Sequence, residues 1–151
     1  MKRNLNFIEA SSLLEANETT SVELTKIYLD NIKEAEELNC FNTITAEQAL
    51  DDAEKSDLRR QQGKLKSQFD GIPIGVKDLF CTKNIKTTAS SKILSNFVPS
   101  YESAVTQKCI DAGLISLGKL NCDEFAMGST NKTSYYGPVT NPWKSNKSDA
   151  K

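Results

Sequence analysis

The chain of 151 residues carries 19 basic and 20 acidic side chains, and it contains no histidine. The absence of imidazole excludes a Ser-His or Cys-His catalytic pair and a histidine-bearing zinc site, so acid-base chemistry near neutrality must use another residue type. The net charge of -1 argues against direct RNA binding by this chain, because phosphate contacts usually require a basic excess.

The length and the four cysteines favour a single cytoplasmic domain. A chain of this size can bury a substantial core but seldom splits into two domains. The cysteines form no C-x-x-C pair and the first residues do not resemble a signal peptide, which favours a reducing compartment over secretion. Because no apolar run is long enough to span a bilayer, we expect no membrane contact.

Two start signals predict helices in the first seventy residues. Thr20 and Glu23 have capping-box spacing, in which a hydroxyl caps an amide and a carboxylate reaches back to the start of the helix. The residues that follow predict one buried face, because apolar side chains recur every three or four positions: Leu24, Ile27, Tyr28, Ile32 and Ala35. Residues 45–48 repeat the start signal, and the charged run over residues 51–60 is typical of a solvated helix face.

Strand and turn signals dominate after Asp70, since the later residues hold six of the seven glycines and all four prolines. Apolar side chains alternate over residues 72–77, which predicts a strand with Pro73 at its start or at a sheet edge. Residues 102–112 predict a helix that stops at Gly113, followed by a short buried strand over residues 114–117.

Lys77 is the first candidate for chemistry. It shares a strand face with Pro73 and Gly75, neither of which can cover it with a bulky side chain. Partial burial there would lower the pKa of Lys77 and leave a fraction of the amine neutral and basic. The strand pattern alone favours the simpler interpretation, in which a lysine at a strand end is a solvated charge.

The second group of candidates lies in residues 121–130. Asp123 and Glu124 could form a general acid and base, but neighbouring helix residues point in different directions, which favours first-turn acids near a helix N-terminus. Asn121 or Asp123 is expected to cap that short helical turn. Residues 128–130 offer amides and hydroxyls that suit an oxyanion, although the spacing alone favours an ordinary loop.

Taken together, four segments resemble the amidase signature family. They occur in the same order as in the family and extend over nearly the whole chain. Their sequences are GIPIGVKD from residue 71, TTASS from residue 87, AGLISLGK over residues 112–119 and GPVTNPW from residue 137. Two further segments, residues 20–25 and 123–129, resemble the A subunits of tRNA-dependent amidotransferases within that family.

The resemblance implies an α/β fold in which helices pack on a mixed β-sheet. It implies a helical segment over residues 1–70 and the start of the amidase core over residues 71–151, together one truncated domain with an incomplete sheet. It also implies a glutaminase with a Ser, cis-Ser, Lys triad. Lys77 matches the catalytic lysine, while the substrate pocket is matched by Met127, Gly128 and Ser129.

The resemblance further implies a heterotrimer with amidotransferase subunits B and C. Ammonia released from glutamine would pass to a partner subunit that activates Glu-tRNA(Gln) with ATP and Mg²⁺, and a small third subunit would brace the pair. No cofactor is implied for this chain itself.

Both serines of the triad are expected in a Gly/Ser-rich segment that follows residue 151, and Ser145 and Ser148 precede that segment. We therefore expect residues 1–151 to form the N-terminal portion of such a subunit and to be inactive alone. Two other interpretations remain open. One is a small-amide amidase of the same family, and the other is a non-catalytic fragment that docks to a partner through Leu24 and Ile27.

Overall fold

The structure is a computed structural model that describes residues 5–143. Over this range the chain forms four α-helices, which are α1 (Phe7–Glu15), α2 (Ser21–Glu34), α3 (Ala46–Gln61) and α4 (Ala104–Asp111). The strands of the same range are β1 (Phe41–Ile44), β2 (Pro73–Lys77) and β3 (Ile115–Leu120). No helix among these residues is both long and apolar enough to cross a bilayer.

The three strands form one mixed sheet with β3 in the middle. β1 pairs with β3 antiparallel, and β2 pairs with β3 parallel. Since parallel strands run in the same direction, the carboxyl ends of β2 and β3 lie at one edge, where Lys77 is opposite Leu120. The implied α/β fold is confirmed, and Pro73 begins an edge strand of this sheet as predicted.

Helix α2 begins where the capping box predicts. The Thr20 hydroxyl accepts a hydrogen bond from the Glu23 amide at 3.1 Å, and the Glu23 carboxylate accepts one from the Thr20 amide at 3.0 Å. Leu24 is fully buried in a cluster with Leu14 and Ile72. Because Leu24 belongs to this core, it is not available to dock a partner.

Helix α3 begins at Ala46 as predicted, but its start is held differently from a capping box. The Thr45 hydroxyl donates to the Ser116 carbonyl at 3.2 Å and therefore ties the helix to β3. Ala49 and Ala53 are fully buried in a cluster with Ile115 and other residues of the sheet. The narrow alanine stripe lets α3 pack closely on the sheet.

The charged run of α3 is not only a solvated face, so that prediction is wrong for three of its residues. The Asp57 carboxylate accepts hydrogen bonds from the amides of Ser21 and Val22 at 2.8 and 3.1 Å. It thus caps α2 from a neighbouring helix. The other exceptions are Arg59, which pairs with the fully buried Asp70, and Arg60, whose guanidinium group donates to the Asp70 carbonyl at 2.8 Å.

Arg59 and Asp70 form a bidentate ion pair. The Arg59 Nε donates to the Asp70 Oδ2 at 2.8 Å, and the Arg59 Nη2 donates to the Asp70 Oδ1 at 2.6 Å. Burial by itself would raise the pKa of Asp70, but hydrogen bonds from Arg59 and the Lys66 amide outweigh it and hold the pKa below the usual value. Gly113 ends the α4 region with φ +83, and a Cβ there would overlap the Asp70 carboxyl group. Glycine is therefore required at this turn.

Candidate active site

An open groove of about 440 Å³ lies at the edge where β2 and β3 end. Its lining includes Lys77, Gly128 and Ser129, so the fold brings three of the four predicted site residues together. The fourth, Met127, is 82% exposed and is not part of the lining. Neither Gly128 nor Ser129 has a hydrogen-bond partner among residues 5–143, which leaves their polar groups available to a ligand.

Lys77 is exposed, as the strand pattern alone predicts, and the alternative of a partly buried lysine is wrong. β2 is an edge strand of the sheet formed by the described residues, and no strand there covers its far side. On the same strand face, the side chain of Leu120 occupies the space beside Gly75, where a Cβ would lie 2.9 Å from the leucine Cγ. The Lys77 side chain is consequently open to the groove and to solvent.

Asp78, which sequence reasoning did not single out, fixes the backbone next to Lys77. Its carboxylate is fully buried and accepts hydrogen bonds from the Thr88 amide at 3.0 Å, the Thr88 hydroxyl at 2.5 Å and the Asn42 amide group at 2.9 Å. Its backbone N–H donates to the Leu120 carbonyl at 2.9 Å. The end of β2 is thus held both to β3 and to the loop that follows.

That loop turns sharply at Ala89 and Ser90, which have φ values of +49 and +52. Such backbone is costly for non-glycine residues, by about 1–3 kcal/mol each, and persists only where surrounding contacts determine it. Here the buried Ser90 hydroxyl accepts from the Cys122 amide at 3.0 Å and from Asn42 at 2.8 Å. It also donates to the Asn121 side chain at 3.2 Å. Residues 87–91 carried part of the family resemblance, but their spacing gave no sign of this geometry.

Asp123 organises the other wall of the groove. It stands at the N-cap position of the predicted short helical turn, Glu124–Ala126, but its side chain makes no capping hydrogen bond there. Its carboxylate accepts from the Thr133 amide and hydroxyl at 3.1 and 2.9 Å, and from the Asn131 and Thr130 amides at 2.8 and 3.1 Å. The Thr133 amide contributes most to lowering the pKa of Asp123, to about 2. A Cβ at Gly128 would lie 2.5 Å from the Asp123 Cγ, so only glycine fits against the carboxylate.

The loop of residues 123–133 should keep its hydrogen bonds to the Asp123 carboxylate until the pH is strongly acidic. Since the folded-state pKa lies near 2, against an ordinary 3.8, the carboxylate stabilises the fold fully above the ordinary value. That stabilisation is lost as the pH falls through about 2. A carboxyl ¹³C NMR titration of the 151-residue chain would measure the pH midpoint of Asp123. Asp123→Asn is the control, and in it the amides of Thr130, Asn131 and Thr133 should exchange with solvent faster at neutral pH. A midpoint near 3.8 would contradict the assignment.

Comparison with known proteins identifies the family to which this chain belongs. The model of the family described as Amidase matches residues 23–149. This chain belongs to the amidase family. It is 53% identical, over 141 residues, to the glutamyl-tRNA(Gln) amidotransferase A subunit of Caulobacter vibrioides, an alignment that covers 93% of this chain and 29% of that relative.

Solved structures show the same fold. The X-ray structure of the peptide amidase of Stenotrophomonas maltophilia has a TM-score of 0.84 at 27% identity, covering 93% of this chain and 30% of that one. The crystal structure of the glutamyl-tRNA(Gln) amidotransferase A subunit of Thermotoga maritima has a TM-score of 0.73 at 29% identity, covering 95% and 28%. This chain therefore spans about three tenths of the length of these relatives.

Proposed function

We propose that this chain is the N-terminal part of a glutamyl-tRNA(Gln) amidotransferase A subunit, which hydrolyses glutamine and supplies ammonia for amide transfer. The observation that carries the proposal is the groove at the sheet edge, in which Lys77 lies with Gly128 and Ser129. The names of similar proteins support the same assignment, since one is an A subunit 53% identical to this chain.

In this proposal Lys77 is the base of the triad. The cis-serine and the nucleophilic serine would follow residue 151 in the complete subunit. The Lys77 amine would take the proton of the cis-serine as that residue takes the proton of the nucleophile. Gly128 and Ser129 would bind the substrate beside the reacting amide, because their amides and the Ser129 hydroxyl have no partner within residues 5–143.

The partners belong to the proposal as well. The B and C subunits would complete a heterotrimer, and ATP and Mg²⁺ would act at the partner that activates Glu-tRNA(Gln). All four cysteines are free thiols, which supports a reducing compartment such as the cytosol.

A fused subunit tests the proposal, with this chain replacing the matching segment of the Caulobacter vibrioides relative. Assembled with subunits B and C, it should transfer ammonia from glutamine only when Glu-tRNA(Gln) and ATP are present. The polypeptide of residues 1–151 is the control and should release no ammonia, because a lysine base without a nucleophile has nothing to activate. Turnover by that polypeptide, or transfer without charged tRNA, would contradict the proposal.

A small-amide amidase is the second candidate, and one observation favours it. The fold superimposes on the peptide amidase with a higher TM-score than on the solved amidotransferase chain, 0.84 against 0.73. The fused subunit separates the two, since an amidase would release ammonia from a small amide without subunits B and C.

A further inference from the structure

A second lysine lies near the groove, and it is the largest fully buried side chain of the described residues. Lys119 is on β3, opposite Val76 of β2, and none of its surface is exposed. Its Nζ donates to three oxygens: the Phe80 carbonyl at 2.5 Å, the Thr82 hydroxyl at 2.9 Å and the Thr87 hydroxyl at 2.8 Å. The polar end of this side chain is therefore fully satisfied.

The three acceptors match the three N–H donors of a charged Lys119. The Thr82 hydroxyl donates to the Phe80 carbonyl at 3.2 Å and the Thr87 hydroxyl donates to the Ile85 carbonyl at 3.0 Å, so both hydroxyl oxygens can only accept from the lysine. A neutral amine has two N–H groups, whereas an ammonium group has three. Burial lowers the pKa of Lys119 below its ordinary value, and the nearby carboxylates of Asp78 and Glu102 oppose that effect only in part. With all three donors engaged, a charged Lys119 has no lone pair with which to act as a base.

The acceptors all lie on the segment that follows Lys77. Residues 80–87 leave the end of β2 and lead to Thr88 and Ala89, which donate to the side chain and the backbone carbonyl of Asp78. Lys119 thus anchors the middle of a loop whose two ends meet at the residue next to Lys77. Because Lys119 does not line the groove, any influence on a substrate must pass through this loop.

We propose that Lys119 is a positioning residue for Lys77. Its ammonium group fixes the loop of residues 80–88 against β3, and the loop in turn holds Asp78 and the backbone that carries the Lys77 side chain. This inference rests on the proposed role of Lys77 as the base.

Hydrogen exchange of the 151-residue chain tests whether Lys119 fixes the loop of residues 80–88. Lys119→Met keeps most of the aliphatic stem but removes the charge and three donors, and Lys83→Met is a matched control at an exposed lysine of the same loop. The amides of residues 84–89 should exchange about 10-fold faster in Lys119→Met, while the amides of α2 and α3 stay protected. Unchanged exchange over residues 84–89 would overturn the proposal.

Kinetics of the fused subunit test whether Lys119 positions Lys77 for catalysis. Lys119→Met should lower kcat by about 10- to 100-fold, the size expected when a reacting group is misplaced by about 1 Å, with KM for glutamine nearly unchanged. In a Lys77→Ala background the same substitution should add no further loss. If Lys119→Met does not fold, Thr87→Val removes one acceptor and keeps the charge, and it should give a smaller loss of the same kind.

The two proposals fail separately. Wild-type kcat in a folded Lys119→Met or Thr87→Val enzyme, alongside an inactive Lys77→Ala enzyme, overturns the positioning role and leaves the proposed function standing. Full activity of Lys77→Ala overturns the proposed function and, with it, the role of Lys119.

Discussion

Replacing Lys77 with alanine should lower ammonia release by the fused subunit by about 10²- to 10⁴-fold, the range for loss of a positioned acid-base group. The expectation follows from the position of Lys77 in the groove, whose lining among the described residues holds no other lysine and no histidine. Because the side chain is exposed, its removal takes nothing from the core, so folding and association with subunits B and C should persist. Initial rates with glutamine and a pull-down with the partner subunits would measure both.

Lys83→Ala is the matched control for this experiment, since it removes an exposed lysine from the segment that follows β2. Its ammonia release should equal that of the unsubstituted enzyme. A near-normal rate in Lys77→Ala would remove Lys77 from the mechanism and would favour a chain that only docks to its partners.

Arg59→Met should lower the free energy of unfolding by about 3–5 kcal/mol, the range for removing one partner of a buried ion pair. The loss is large because Asp70 is fully buried and would keep its charge without the guanidinium group. Urea denaturation of the 151-residue chain at neutral pH would measure it. Lys55→Met is the control, because the pair of Lys55 with Asp51 is largely exposed and should contribute little.

The effect of Arg59→Met should also depend on pH. Since the pKa of Asp70 is lowered in the folded state, the stabilisation from the pair is complete above the ordinary value of 3.8 and is lost as the pH falls through the folded-state value. The difference in the free energy of unfolding between the unsubstituted chain and Arg59→Met should therefore become smaller in acid. Equal losses for Arg59→Met and Lys55→Met, or a difference that does not change with pH, would contradict this account.

Short sequence motifs predicted the helices and strands whose ends are determined by residues close to them in the chain. Thr20 and Glu23 cap their own helix, Pro73 begins an edge strand, and Gly113 follows α4 at a turn where a side chain would not fit. By contrast, β1 has only four residues and pairs with a strand more than seventy residues later, so no local pattern revealed it. Helix α1 was not predicted either, although Asn6 and Glu9 form its capping box.

The site was predicted through motifs, and only in part. The motif residues Lys77, Gly128 and Ser129 lie in one groove, but nothing near Asp78 in the sequence shows that Asn42 and Thr88 surround it. The short buried strand predicted over residues 114–117 overlaps a longer element, since β3 starts at Ile115 and also includes Gly118 and Lys119. The strand continues to Leu120, since the Lys119 ammonium group finds three oxygens inside the fold.

The strand order has a consequence for synthesis on the ribosome. β3 lies between β1 and β2 in the sheet but follows both in the chain, so neither earlier strand has its partner until Leu120 has been made. Helices α1 to α3 can form from local contacts before that point, whereas sheet formation must wait for contacts between distant residues. A nascent chain therefore carries two unpaired strands while β3 is still being translated, and during that interval it should be most prone to aggregation and most in need of a chaperone.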